Sequence, residues 1–478
     1  MSAFRPLEIF KELTAVPRDS GDEGAVAAYL LGFAAKNGLE ALRDGANNVL
    51  IRKKGSAGRE SEPALILQSH TDMVYVKDEA SAHRYGEPLP IVEADGFLRS
   101  DGTSLGADNG AGCAYVLALL ESDGLSHPPL EALFIAGEEI GMLGAAALDP
   151  AWLTGRRMLN LDSEKEGAFI LGCAGGVTAI IRLAPEFEKA PEELAACKVG
   201  VGGLKGGHSG LDANEGRGNA IRLLSRFLFT AWETLGARAA EIQGGGKVNA
   251  IPSHAEAIVL IRDPEALRKL ADRCQAVFRE ELSGADDDVT VTVSPCAGTA
   301  DVLTEKCFHR LLFLLMNIPD GVQGMSRKLD GFVETSNNIG ILTASPEFTS
   351  PAFIEIGCAL RSSKVSQKEF MRNQLSLLAG LAEAGMRFEG DYPAWDCVPY
   401  SPLQEKASEV YRKLYGAEPE LMVLHAGLEC GYFQSLYPDM DLLSAGPNLF
   451  EVHTPRERLD IVSMERVWNW LTELLREI

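Results

Sequence analysis

The stretch EALFIAGEEIGMLGA, residues 131–145, runs from an apolar pentad into two adjacent carboxylates, Glu138 and Glu139, beside glycines. The segment 132–136 has the length and unbroken apolar character of a fully buried strand rather than of one face of a helix. Charge that close to a core is costly unless it is paired or ligated. The two glutamates are therefore either a solvated strand end or part of a site, and the rest of the chain decides which.

Outward from this strand, helices alternate with short apolar strands up to about residue 180. A helix runs through EGAVAAYLLGFAAKNG (23–38), a strand through ALILQSH (64–70), a second helix follows ADNGAG (107–112), and RMLNLD (157–162) is another strand. This alternation predicts an α/β fold with a mostly parallel sheet and helices on both faces. From about 195 to 390 the style changes. Strands such as KVNAIPSHAEAIVLI (247–261), DVTVTVSP (288–295) and AFIEIGCALRSS (352–363) alternate with long amphipathic helices at 264–282 and 366–384. That predicts an inserted α+β domain over 191–390, with a discontinuous first domain formed by 1–190 and 391–478. No repeat is visible in the insertion, although it is long enough to hold a diverged duplication.

Composition narrows the function classes. A chain of 478 residues is too long for one ordinary core. Its net charge of -23 repels nucleic acid and anionic membrane. Nine cysteines, at 113, 173, 197, 274, 296, 307, 358, 397 and 430, are odd in number and contain no C-x-x-C pair. They fit reduced thiols and a cytoplasmic location better than a disulfide framework. Nothing has the length of a membrane span or the pattern of a signal peptide.

The strand ends carry the chemistry. ALILQSHTDMVYV (64–76) ends an apolar run with His70 and Asp72, two apart and so on one face of an extended chain, where Asp72 can influence the tautomer of His70. SLGADNGAG (104–112) puts Asp108 in a Gly-rich turn before a helix, MLNLDSE (158–164) ends a strand with Asp162, and NLFEVHTPRER (448–458) offers His453. Each alone has an ordinary explanation: a turn residue, a cap, a satisfied core histidine. Together they place imidazoles and carboxylates at the carboxyl edge of an open α/β sheet, where ligands bind. Imidazole with carboxylate and no nearby cysteine suits zinc, with manganese or cobalt as substitutes. Three carboxylates and two histidines exceed what one tetrahedral ion takes, so two divalent ions sharing a carboxylate are expected, with one glutamate of the pair as a ligand and its neighbour as general base and acid.

HTD, LGADNGAG, AGEEIGMLGA, LNLDSE and VHTPRER, in this order, resemble the co-catalytic metallopeptidase family of carboxypeptidases, aminoacylases and dipeptidases. Several motifs are worded closest to its cytosolic aminoacyl-histidine (cytosol non-specific) dipeptidases. The resemblance implies a first ion on His70, Asp108 and Asp162, a second on Asp108, Glu139 and His453, Glu138 as the base, and Asp72 orienting His70. It also implies that the insertion is a lid. There His208 in KGGHSGLD (205–212) would face a developing oxyanion, Asn249 would contact substrate, and Arg361 would grip a free carboxylate, while His425 and Glu429 in VLHAGLECGYF (423–433) would lie near the metals. The implied activity is metal-dependent hydrolysis of dipeptides with a free C-terminal carboxylate, including Xaa-His dipeptides. N-acyl amino acid hydrolysis by the same centre is the alternative. A non-catalytic binder has no use for Glu138, and a thiol hydrolase lacks a cysteine with a histidine partner. The expected partner is a small peptide, with neither nucleic acid nor membrane. A homodimer is compatible with this reading, with His208 acting in its own or a neighbour's site.

Overall fold

The computed structural model describes residues 4–327, 329–344, 353–398 and 400–478. The chain forms two compact units, one of Met1–Cys173, Trp395–Leu424 and Leu428–Ile478, the other of Ala174–Ala394 with His425–Gly427.

In unit 1 the uninterrupted apolar runs become the centre of an eight-stranded sheet. Every residue of Leu65–His70 and Leu130–Ile135 is buried, as strands covered on both faces require. These two pair in parallel, Leu65–His70 pairs in parallel with Arg157–Asn160, and Arg157–Asn160 with Asp441–Ser444. The far edge adds Glu420–Leu424 parallel to Ala168–Cys173, whose single bridge to Asp441–Ser444 is antiparallel. At the other edge the hairpin of Glu40–Arg43 and Val49–Lys53 is antiparallel to itself and to Leu130–Ile135. The core is thus parallel, as expected, with antiparallel additions. Helix Ala107–Glu121 is apolar nearly all round and is accordingly buried from Ala107 to Leu120 except at Asp108. It packs closely: a Cβ on Gly112 would stand 2.6 Å from the Leu161 carbonyl oxygen. The C-terminal helix Ile461–Glu477 buries only one stripe, Met464, Val467, Trp470, Leu471, Leu474 and Leu475. A separate small sheet pairs Leu449–Phe450 with Arg458–Asp460 and that strand with Phe97–Ser100, so the loop of residues 451–457 projects from a fixed base.

Unit 2 is an antiparallel sheet whose order reveals a duplication. One module runs Ala195–Gly202, helix Ala220–Leu235, Arg238–Gly245, Ala255–Ile261, helix Pro264–Glu281, Thr290–Pro295. A second runs Gly175–Leu183, helix Glu305–Asn317, Val333–Ala344, Ile354–Ser362, helix Val365–Leu381, Gly385–Tyr392. In both, the strands lie in the order fourth, first, third, second, a split βαβ arrangement, and the two second strands pair with each other. The first module is inserted between the opening strand and opening helix of the second. Asn219, Asp263 and Thr304 cap three of the four helices by accepting backbone N–H bonds. All four helices share one apolar core over the same face of the sheet.

Two boundaries differ from the sequence reading. The first domain ends at Cys173 rather than near 190, because Gly175–Leu183 is a central strand of the second sheet, paired with Ile354–Ser362 and Gly385–Tyr392. The expected strand at 247–261 is broken. Ala250–Ile251 pairs with Gly207–His208, and the long strand starts only at Ala255, beyond Pro252, which has no N–H to give a ladder.

Candidate metal centre

Parallel pairing puts His70, the turn after Ile135 and the residues after Asn160 at one edge of the sheet of unit 1. His70 is fully buried and its Nε2 lies 3.0 Å from Asp108 Oδ1 and 3.3 Å from Asp162 Oδ1. His453 Nε2 lies 3.2 Å from Asp108 Oδ2 and 2.7 Å from Glu139 Oε1. The two oxygens of Asp108 thus face two different sets of donors. His70, Asp108 and Asp162 form one group able to hold an ion, and Asp108, Glu139 and His453 form another. His70, Glu138 and Glu139 are a third such combination, so proximity alone does not separate the two glutamates. Asp108 sits in a non-helical first turn after Gly106, whose φ of 69° suits glycine, and the Asp108–Asn109 peptide is cis.

Asp72 is the organising carboxylate. Its Oδ1 accepts the Glu138 N–H at 3.0 Å and its Oδ2 accepts the Glu139 N–H at 3.2 Å and the Ser20 hydroxyl at 2.8 Å. Its Oδ1 also lies 3.5 Å from His70 Nδ1, and its backbone carbonyl is 3.1 Å from the same nitrogen. One buried side chain therefore fixes both the ring of His70 and the backbone of the glutamate pair. Glu429, also fully buried, accepts a bond from Gln68 Nε2, whose Oε1 accepts from Asn160 Nδ2.

The electrostatics show a surplus of negative charge. Burial, with Asp162, Glu429 and Glu139 nearby, pushes the Glu138 carboxyl well above the usual range. Burial raises Asp162 to about 7 and Glu429 to about 8, against the opposing pull of His70. The Asp72 carboxyl is raised by burial, but its bonds to His70, Ser20 and the Glu138 N–H bring it down to about 2. Hydrogen bonds to Asp108 and Glu139 push His453 up to about 11, and His70, despite full burial, is raised by Asp162 and Asp108. Carboxylates this crowded need positive charge to offset them. Divalent ions would do so with all ligands deprotonated, so the donor set fits a pair of ions bridged by Asp108.

The remaining expected residues fall in unit 2, with one exception. His208 Nδ1 accepts N–H bonds from Leu211 at 3.0 Å and Gly210 at 3.3 Å, which leaves its proton on Nε2. That nitrogen faces Arg361 Nη2 at 3.5 Å, two donors side by side. Arg361 is 9% exposed, donates from Nη1 to the Tyr392 hydroxyl at 2.8 Å, and has a buried Nε without a hydrogen-bond partner among the described residues. His425 belongs to this cluster. Its Nε2 is 2.7 Å from Ser336 Oγ, and burial, then Arg361 and His208, lower it to about 3. Burial and Arg361 lower His208 as well. Asn249 is exposed, and its backbone carbonyl accepts the Ser209 N–H at 2.9 Å. The segment expected to bring His425 and Glu429 to one place divides: His425 packs in unit 2 and Glu429 in unit 1.

Residues 66–477 match the profile of peptidase family M20/M25/M40. The chain belongs to that family. It is 36% identical over 475 residues, 98% of this chain and 97% of the relative, to the cytosol non-specific dipeptidase of Escherichia coli K12. Its fold is similar to that of the aminoacylhistidine dipeptidase of Vibrio alginolyticus, with a TM-score of 0.90, 34% identity, and coverage of 100% and 97% of the two chains. The aminopeptidase PepT of Bacillus cereus, 15% identical with a TM-score of 0.56 over 99% and 98% of the chains, shares the fold.

For this M20/M25/M40 peptidase, sequence reading missed two buried charged residues that support the cluster. Arg18 is 2% exposed, and its guanidinium donates to the carbonyls of Thr71, Asp72 and Gly106. Glu457 is 2% exposed and accepts backbone N–H groups of the Asp108 turn. Both lie in readable motifs, VPRDSG (16–21) and VHTPRER (452–458), but only the fold shows that their charges point inward.

Proposed function

We propose that this peptidase hydrolyses dipeptides with a free C-terminal carboxylate, Xaa-His dipeptides among them, in the cytoplasm, using two divalent ions, zinc by preference. The observation that carries the metal reading is the single carboxylate of Asp108 facing His70 with one oxygen and His453 with the other. The choice of substrate class is supported by full-length likeness to two dipeptidases. Nine scattered cysteines without a C-x-x-C pair suit a reducing compartment.

In this reading His70, Asp108 and Asp162 would hold one ion, and Asp108, Glu139 and His453 the other. When bound, such a pair polarises the scissile carbonyl and acidifies water. The protein's own groups do the rest. Glu138, whose carboxyl burial shifts upward, takes a proton from the attacking water and gives one to the leaving amine. Asp72 holds the Glu138 backbone and His70 in register. In unit 2, the Nε2–H of His208 lies beside the guanidinium of Arg361, whose Nε has no partner among the described residues, a pair suited to an oxyanion and to a substrate carboxylate. Both come from one chain, His208 from the first module and Arg361 from the second. Asn249 contacts substrate beside them, with His425 and Glu429 as further contacts.

The test is a panel of dipeptides and N-acetyl amino acids assayed on purified protein, with metal analysis of the same sample. Turnover of dipeptides, Xaa-His included, with two ions per chain is expected. Faster turnover of the N-acetyl amino acids would make it an acyl amino acid hydrolase.

A further inference from the structure

We propose that Glu457 is a positioning residue that locks the loop carrying His453 to the turn carrying Asp108, and so sets the affinity of the second metal site. The inference rests on the reading that Asp108, Glu139 and His453 hold an ion. His453 occupies the left-handed region, with φ of 60°, as does Glu451 with φ of 51°. For side chains of this size that backbone persists only where surrounding contacts over-determine it. Within the loop, Thr454 Oγ1 donates to the Glu451 carbonyl at 2.7 Å and Arg458 pairs with the Glu451 carboxylate at 2.9 Å. These bonds shape the loop and tie it to its own base strand, not to the turn that carries Asp108.

Glu457 supplies that tie. Its Oε2 accepts the N–H groups of Leu105 at 2.8 Å and Gly106 at 3.0 Å, and its Oε1 accepts those of Ala107 at 2.7 Å and Asp108 at 3.4 Å. Four consecutive peptide groups of the turn that bears the bridging ligand thus converge on one carboxylate, four residues after the other ligand. Its backbone N–H donates to the Thr454 carbonyl at 3.1 Å, which closes the loop onto the same anchor. The opposite side of the turn is held as well, since the Gly106 carbonyl accepts from buried Arg18. With that side fixed, the freedom left to the site is the distance between Asp108 and His453, and Glu457 removes it. Groups that orient metal ligands in this way typically change metal affinity by ~10- to 100-fold when altered.

The experiment is calorimetric titration of the metal-free protein with zinc. In wild type, two equivalents are expected; fewer than two would overturn the paired-metal reading and this inference with it. Glu457→Gln sets an amide NH2 against peptide donors, and should weaken the second equivalent by ~10- to 100-fold while the first stays within about threefold. Glu457→Asp keeps the charge on a shorter arm, should fold, and should bind the second equivalent with intermediate strength. The control is Asp441→Asn, which removes another, half-buried anchor in the same unit, where Asp441 accepts from Ser401 and from the Leu403 N–H at 2.9 Å. It should lower the Tm and leave both equivalents unchanged. Wild-type binding of both equivalents by the two Glu457 variants would reduce Glu457 to a helix cap. Equal loss of the second equivalent in Asp441→Asn would make the effect general loosening, and the inference would fall.

Discussion

The two units each bury a polar cluster, and the clusters carry opposite charge. In unit 1, Asp72, Asp108, Glu138, Glu139, Asp162 and Glu429 surround His70 and His453 at the carboxyl edge of a parallel core. In unit 2, Arg361, His208 and His425 gather at an antiparallel sheet, and the carboxylate of Asp212 is spent on the His208 N–H and on Arg217. Burial shifts groups accordingly: the carboxyls of Glu138, Asp162 and Glu429 go up in the first cluster, and the imidazoles of His425 and His208 go down in the second. A buried cluster with uncompensated charge is a record of what it is built to receive. On the proposed reading the first suits cations and the second an anionic group.

The largest expected effect breaks the first cluster along the opening pair of residues. Glu138→Gln should lower kcat by ~10²- to 10⁴-fold with metal content near wild type, since it removes proton transfer and leaves the ligands. Glu139→Gln should instead lose bound metal. Measuring metal in both variants decides the assignment, and metal loss confined to the Glu138 variant would reverse it. The geometry leaves this open, because both glutamates fall within ligand reach of His70.

A smaller effect sharpens the second cluster. If Arg361 grips a substrate carboxylate, wild type should prefer a free dipeptide to its C-terminal amide. A charge-assisted hydrogen bond of ~1.5–3 kcal/mol corresponds to roughly 10- to 150-fold in kcat/KM. Arg361→Met should erase most of that ratio by losing the free dipeptide. A variant that keeps the wild-type ratio would leave Arg361 as a partner of Tyr392 only.

The smallest effect concerns pH. His425 lies at about 3 in the folded chain, against roughly 6.5 for an exposed histidine. The unfolded chain therefore binds a proton that the folded chain refuses, and stability falls as pH drops below about 6.5 and continues to fall toward 3. The slope from this one group is at most ~1.4 kcal/mol per pH unit. Urea unfolding of wild type and His425→Gln between pH 5 and 8 should show a shallower acid slope in the variant. Equal slopes, or an NMR titration of His425 near 6.5, would show that its ring is not held neutral by burial.

Most of the candidate ligands were legible because they stand at or just beyond the end of a strand whose apolar run announces them, whereas Asp108 stands in a Gly-rich turn before a helix. His70 and Asp162 follow uninterrupted buried segments, and Glu138 and Glu139 follow a third, so the side chains at their ends had to share an edge once the strands paired in parallel. His453 was legible only through the motif around it, since its loop rises from a small separate sheet that no periodicity announced. Two things in unit 2 were hidden. The duplication appears in strand order and not in residue similarity, because packing fixes burial pattern and connection length while leaving side-chain identity free. The first boundary was misplaced because Gly175–Leu183 looks like a continuation of the earlier strands, and only its partners assign it elsewhere.

By itself the sequence determined the family, the class of the first domain, and which imidazoles and carboxylates are candidates for metal. These depend on local pattern, residue type and order, which a chain carries with it. The tertiary structure decided that Asp108 turns one oxygen toward each group, that Asp72 serves both His70 and the glutamate pair, and that His425 and Glu429, four residues apart, pack in different units. Those facts depend on distances between segments far apart in the chain, such as the 345 residues between Asp108 and His453, and such distances come into being only when the whole core packs.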